Sequence, residues 1–352
     1  MDKKVYKFPS IEMFRHAIHN VTYKARFRGF DENDEPTFED CELPTLTYRG
    51  TVKLHGTNAG IVYLFNELTH EYEVQAQSRE NIITPLKDNA GFATFVHGIN
   101  TEGLLGQVMK SVGDLGYTPE VIRVYGEWCG GNIQKGVAIN GLDKMFVIFA
   151  IKVDNEWISH DKLINVKSND EKIYNILQYP VYDFEINFNN PKEAAERIAS
   201  VVDQVEQECP VGRAFGNEGI GEGIVLTCLN EGYSGSKFWF KAKGEKHAKS
   251  GKKDKKNKVA VDIERVNTIK ALVETIVPES RLVQGLDYLR QNDLELSKKS
   301  TGSYLKWLYE DTIKEELDTI TGNGFEPKDV SAEIQKYAKD WFFQKTDELV
   351  GL

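Results

Sequence analysis

From residue 47 onward the chain is punctuated by short stretches in which β-branched and aromatic residues dominate or alternate with polar ones. TYRGTVKLHG (47–56) leads to AGIVYLF (59–65). YEVQAQS (72–78) then sets Val74, Ala76 and Ser78 against Glu73, Gln75 and Gln77, the period of a half-buried strand. EVIRVYGEW (120–128) and KMFVIFAIKV (144–153) are dense enough in apolar residues to be buried strands, and GEGIVLTCL (221–229) and SKFWFKAKG (236–244) complete the set. Two helical stretches interrupt them, about 101–113 and NPKEAAERIASVVDQVEQE (190–208), where Pro191 suits a first turn. FGNEGIGEG (215–223) lacks the spacing of a phosphate-binding P-loop and reads as a turn before a strand. Residues 1–50 show no clear period and include the acidic DENDEPTFED (31–40).

Past residue 258 the period changes from two to 3.6. Ile263, Val266, Ile269, Leu272, Val273, Ile276 and Val277 fall on one helical face that Pro278 terminates. Further faces follow: Leu282, Val283, Leu286 and Leu289; then Leu305, Leu308, Ile313 and Leu317; and, after Pro327, Ile334, Tyr337, Ala338, Trp341, Phe342 and Leu349. The pattern predicts an α+β domain of antiparallel sheets with flanking helices over 1–256 and a small all-α domain over 257–352.

Composition adds exclusions. With 40% hydrophobic and 28% charged residues among 352, the chain is neither low-complexity nor wholly disordered. No run approaches the ~20 apolar residues of a membrane span, and no long apolar stretch follows the N-terminus to suggest a secretory signal. Cys41, Cys129, Cys209 and Cys228 show no paired spacing, which disfavours zinc and a disulfide framework. These features predict a soluble, cytoplasmic protein. The net charge of −10 argues against a polyanionic partner, but its distribution does not: KAKGEKHAKSGKKDKKNK (241–258) holds nine lysines and a local balance of +7. Such a run is either a solvated loop or a phosphate-binding segment.

The segment richest in chemistry is Thr51-Val52-Lys53-Leu54-His55-Gly56-Thr57-Asn58. A lysine at a strand end followed by a Gly-containing turn sets an amine where backbone N–H groups and small polar side chains can surround a phosphate. Arg79 follows a strand, Glu127 ends one in Tyr125-Gly126-Glu127, Phe149 lies within another, and Glu222 opens EGIVL. Lys241 and Lys243 alternate on a strand and so share a face.

Taken in order, these segments resemble the motif series of the covalent nucleotidyltransferases, which include polynucleotide ligases and mRNA capping enzymes. KLHGTN and GEWCGGNIQKG resemble the RNA ligase 2 family in particular, whose type member is a bacteriophage T4 enzyme, and the resemblance spans most of 45–352. It implies an ATP-grasp-like ligase domain and an ATP-dependent RNA ligase that joins a 3′-OH to a 5′-phosphate through a lysyl-AMP intermediate and an adenylated RNA end, in RNA repair. Lys53 would be the nucleophile that takes AMP from ATP, with Lys241 and Lys243 neutralising phosphate charge. Val52 and Leu54 would contact the nucleotide, Glu127 the ribose, Phe149 the adenine face, and Asn58 and Arg79 the phosphate. His55, Thr57 and Arg79 would meet the RNA end, and Glu222 would hold Mg²⁺, for which Mn²⁺ could substitute. The RNA partner would be a nicked duplex or a broken end, met by a monomer with the helical domain engaging RNA. Two positions depart from the family pattern: Ala150 stands where Asp commonly follows the stacking aromatic, and Thr227 where Lys commonly closes EGxVLK. The rival readings are a DNA ligase or capping-type nucleotidyltransferase, and a non-catalytic RNA-binding protein on a ligase scaffold.

Overall fold

The computed structural model describes residues 4–88, 90–131, 133–134, 136–244 and 269–350. The chain divides into two compact units, one of residues 1–85 and 91–244, the other of 86–90 and 245–352. The boundary expected at 256/257, Ile263 and Val266 of the expected helix, and the lysines beyond Lys243 in the basic run lie outside the described residues.

The first unit holds the strands β1 (Glu12–Met13), β2 (Phe27–Phe30), β3 (Pro36–Phe38), β4 (Thr45–Lys53), β5 (Thr57–Asn66), β6 (Glu71–Ser78), β7 (Val121–Cys129), β8 (Met145–Val153), β9 (Glu156–Trp157), β10 (Ile173–Asn175), β11 (Val181–Asn187), β12 (Gly223–Cys228) and β13 (Phe240–Lys243). Its helices are α1 (Phe14–Arg26), α2 (Phe92–Gly98), α3 (Thr101–Val112), α4 (His160–Leu163), α5 (Lys192–Gln207) and α6 (Pro210–Ala214). One sheet runs β1-β13-β12-β4-β11 and a second β10-β8-β7-β5-β6, with β9 on β8. Pairing is antiparallel except for β1 with β13 and β10 with β8.

The first sheet is two-faced because its strands alternate. Tyr48 and Val52, Phe184 and Ile186, Ile224 and Leu226, and Phe240 are buried; α1 and α5 pack on the sheet, with the Phe14 ring stacked 4.7 Å from Phe240. Arg49, Lys53, Val225, Thr227, Lys241 and Lys243 alternate with these and are half-buried. The second sheet buries Ile61, Tyr63, Ile122, Val124 and Phe146, and Phe92 of α2 sets its ring 5.0 Å from Phe146 and 5.5 Å from Trp128.

The mixed α+β architecture agrees with the sequence pattern, and each predicted strand is present. Strands β1, β2, β3, β9, β10 and β11 and helices α1, α2, α4 and α6 were not predicted. Helix α1 buries only Ala17 and Val21 of its 13 residues, too sparse a stripe to read. In β11 the alternation rests on Phe184 and Ile186 alone. No helix among the described residues is long and apolar enough to cross a membrane.

The second unit contains helical residues 269–276 and helices α7 (Glu279–Gln291), α8 (Thr301–Gly322) and α9 (Pro327–Val350). Leu282, Leu289, Tyr304, Leu308, Ile320, Val330, Ile334, Ala338 and Phe342 form its core. Tyr304 stacks 4.2 Å from Phe342 and donates to the Leu282 carbonyl at 3.0 Å. Gly285 permits this: a Cβ there would lie 2.6 Å from the Tyr304 ring. Val283 and Leu317, expected on the apolar faces, are 39% and 42% exposed.

Candidate functional site

Strand β4 ends at Lys53, and the chain turns through Leu54-His55-Gly56 into β5. The turn is pressed onto β7. A Cβ on Gly56 would lie 2.5 Å from the Trp128 carbonyl, and the Gly56 N–H donates to Glu127 Oε1 at 2.9 Å. Gln134 closes the turn from the other side, donating from Nε2 to the Gly56 carbonyl at 3.2 Å.

Glu222, 3% exposed, sits immediately before β12 at the centre of a basic group. Lys53 Nζ is 2.7 Å from Oε2, His55 Nδ1 3.3 Å from Oε2, and Lys243 Nζ 3.3 Å from Oε1. Register explains the convergence, since Gly223 lies opposite Lys53 on one side and Lys243 on the other. Gly223 has φ +145°, and a Cβ there would come within 2.1 Å of the Ala242 carbonyl, so no other residue fits. Burial alone would raise the Glu222 pKa; Lys53, Lys243 and His55 instead hold it well below the usual carboxylate range.

Glu127 behaves in the opposite way. Burial pushes its carboxyl up to about 7, and the Glu222 charge adds to the rise, while Lys53, the Gly56 N–H and Arg79 oppose it. Asn58 pairs with Glu127 in register, and Arg79 follows the end of β6. Phe149 is the extra residue of a bulge where β7 and β8 shift register. Its ring meets Phe8 edge-on at 4.9 Å, within a cluster that also contains Tyr125, Ala150 and Trp239.

The structure thus brings Lys53, His55, Glu222 and Lys243 together and places Asn58, Glu127 and Arg79 beside them. Lys241 lies two residues from Lys243 on β13 and Thr57 opens β5. Val52 and Leu54 are buried, and Val52 lies on the apolar face of β4, paired with Ile224 of β12. Ala150, 5% exposed among aromatic rings, stands where a carboxylate would lose its hydration without a partner. Sequence reasoning gave no role to Gln134, although it lies in the quoted GGNIQKG, or to Phe8, which falls in the aperiodic N-terminal stretch.

The family model described as RNA ligase matches residues 47–243, more than half of the chain. The chain belongs to the RNA ligase family. Among solved structures, this RNA ligase family member is similar to a Naegleria gruberi RNA ligase variant with AMP and Mn, at 14% identity and a TM-score of 0.42, over 68% of this chain and 56% of that one. It is also similar to an archaeal ATP-dependent RNA ligase, at 14% identity and a TM-score of 0.37, over 90% of this chain and 66% of that one. The chain therefore spans just over half the length of the Naegleria protein. No curated protein sequence matches it.

Glu222 is the one carboxylate of this cluster that could hold a divalent cation, and in this structure Lys53, His55 and Lys243 engage both of its oxygens. Its carboxylate is a hard ligand, and no three-residue metal cluster among the described residues includes it. The protein would contribute this one carboxylate.

Proposed function

We propose that this chain is an ATP-dependent RNA ligase of the RNA ligase 2 type, joining a 3′-OH to a 5′-phosphate in RNA repair. The observation that carries the reading is the convergence of Lys53, Lys243 and His55 on the buried Glu222 at the KLHG turn. A family match over 47–243, which contains all of these residues, supports it.

In this reading Lys53 Nζ attacks the α-phosphorus of ATP, forming a phosphoramidate P–N bond as the P–O bond to pyrophosphate breaks. An ordinary lysine is protonated at neutral pH, so the attacking amine must give up a proton and leave its ion pair with Glu222. AMP then passes from Lys53 to the RNA 5′-phosphate, and the 3′-OH displaces it as the phosphodiester forms. Lys241 and Lys243 oppose the charge that builds on the phosphates. Glu127, Asn58 and Arg79 hold the ribose and phosphate, and Phe149 stacks on the base. A divalent metal at Glu222, Mg²⁺ or Mn²⁺, would supply further charge neutralisation. In this reading His55, on the turn, and Thr57, at the start of β5, contact the RNA end. The helical unit grips RNA beside the break, and the basic run adds phosphate contacts.

The test is sealing of a nicked RNA duplex in the presence of ATP and Mg²⁺. A sealed product that requires both is expected. Retention of the duplex without sealing, under varied divalent metals, would leave an RNA-binding protein in place of a ligase.

A further inference from the structure

The half-buried face of the first sheet changes character along its strands. At one end Lys53, Gly223 and Lys243 lie side by side, and this end is cationic. Thr51, Val225 and Lys241 form the middle rung. At the other end Arg49 lies opposite Thr227 on one side and Asp183 on the other. The two ends are four residues apart, about 14 Å at the rise of a β-strand.

At the far end the Arg49 charge is opposed by Asp183 and Asp161. Arg49 is matched by a two-pronged contact with Asp183, Nε to Oδ1 and Nη2 to Oδ2, both at 2.7 Å. Thr227 Oγ1 lies 3.1 Å from His160 Nε2 and 3.4 Å from the Arg49 carbonyl. Burial, with the Arg49 charge adding to it, lowers the His160 pKa to about 4, so its ring is neutral at physiological pH. The Arg49 carbonyl can only accept, so it takes the Thr227 hydroxyl proton; the hydroxyl oxygen then accepts from His160 Nε2–H. That chain assigns the tautomer and leaves Nδ1, enclosed and unpartnered, as a bare acceptor. A hydroxyl oxygen has two acceptor positions, so one on Thr227 remains open.

We infer that Thr227, oriented by His160, reads the edge of the nucleotide base, accepting a hydrogen bond from the exocyclic amine of adenine. Guanine presents a carbonyl oxygen at the equivalent place, and there it would oppose the lone pair of Thr227. Preference for ATP over GTP would then come from a neutral acceptor where the family commonly has lysine. His160 acts through Thr227 and is a positioning residue. The inference rests on the ligase reading above.

The experiment measures transfer of labelled nucleotide to the full-length protein from ATP, from GTP, and from purine riboside triphosphate, which lacks the exocyclic amine. The wild type should use ATP about five- to tenfold better than the purine analogue in kcat/KM, the worth of one neutral hydrogen bond. Thr227→Val should erase that ratio by losing activity on ATP, and Thr227→Ser, which keeps the hydroxyl, should restore it. A purely structural role would lower all three nucleotides together and leave the ratios in place. An unchanged preference for ATP over the purine analogue in Thr227→Val would overturn the assignment while leaving the ligase reading intact. No transfer to the wild type from any nucleotide would overturn both.

Discussion

Glu222 and Arg281 each sit at the centre of a buried ion cluster, and the two clusters are built in opposite proportion. Around Glu222, one carboxylate is shared by two lysines and a histidine. In the helical unit, Arg281 Nε is 3.3 Å from Asp311 and Nη2 is 3.2 Å from Glu316, so one guanidinium lies between two carboxylates. Arg281 also donates to the Ile276 carbonyl, tying α7 to the end of the preceding helical residues. Its pKa is raised: burial would lower it, but Glu316 and Asp311 more than compensate. The first cluster carries surplus cation on flexible amines, which suits an incoming polyphosphate. The second has one planar cation in a fixed fork, which suits a structural tie.

The comparison can be broken by removing one cation from each cluster. Arg281→Met leaves Asp311 and Glu316 without their shared counter-ion, and should lower unfolding stability by about 3–5 kcal/mol in a denaturant titration. A loss below 1 kcal/mol would deny the structural role. Lys243→Met leaves Glu222 still matched by Lys53 and His55, so stability should change by less than about 1 kcal/mol. AMP loading should nevertheless fall on the order of 10²-fold, the usual worth of a charge aimed at a transferring phosphoryl group. The reverse outcome, lost stability with loading intact, would make the Glu222 cluster a second structural tie.

Glu127 sharpens the comparison by pH. Its folded pKa of about 7 lies above its ordinary 4.5, so the folded protein holds this proton more tightly than the unfolded chain does. The stabilisation is complete below pH 4.5 and is lost as pH rises through 7. Glu127→Gln cannot ionise, and its stability relative to wild type should therefore improve across that window, on the order of 3 kcal/mol. A flat difference between the two proteins from pH 4.5 to 7 would remove the raised pKa from the account.

The strands that build the site were legible because their apolar residues alternate over five or more positions, as in β4 and β12. The cluster itself was legible only as separate segments. Lys53, Glu222 and Lys243 are far apart in sequence, and what joins them is strand register around Gly223, which no local pattern encodes. Phe8 shows the other limit: it matters through contact with Phe149, while its own neighbours carry no period. Thr227 was noticed only as a departure from a lysine, and its partner His160 comes from a four-residue helix remote in sequence.

The central claim is that Lys53 is the nucleophile, and intact mass after incubation with ATP and Mg²⁺ tests it most directly. The wild type should gain the mass of one AMP, mapped by peptide analysis to Lys53. Lys53→Ala should gain none while keeping a native circular dichroism spectrum, and Lys53→Arg should also gain none because its guanidinium stays protonated. AMP found on the Lys53→Ala protein, or mapped to another lysine of the wild type, would contradict the account.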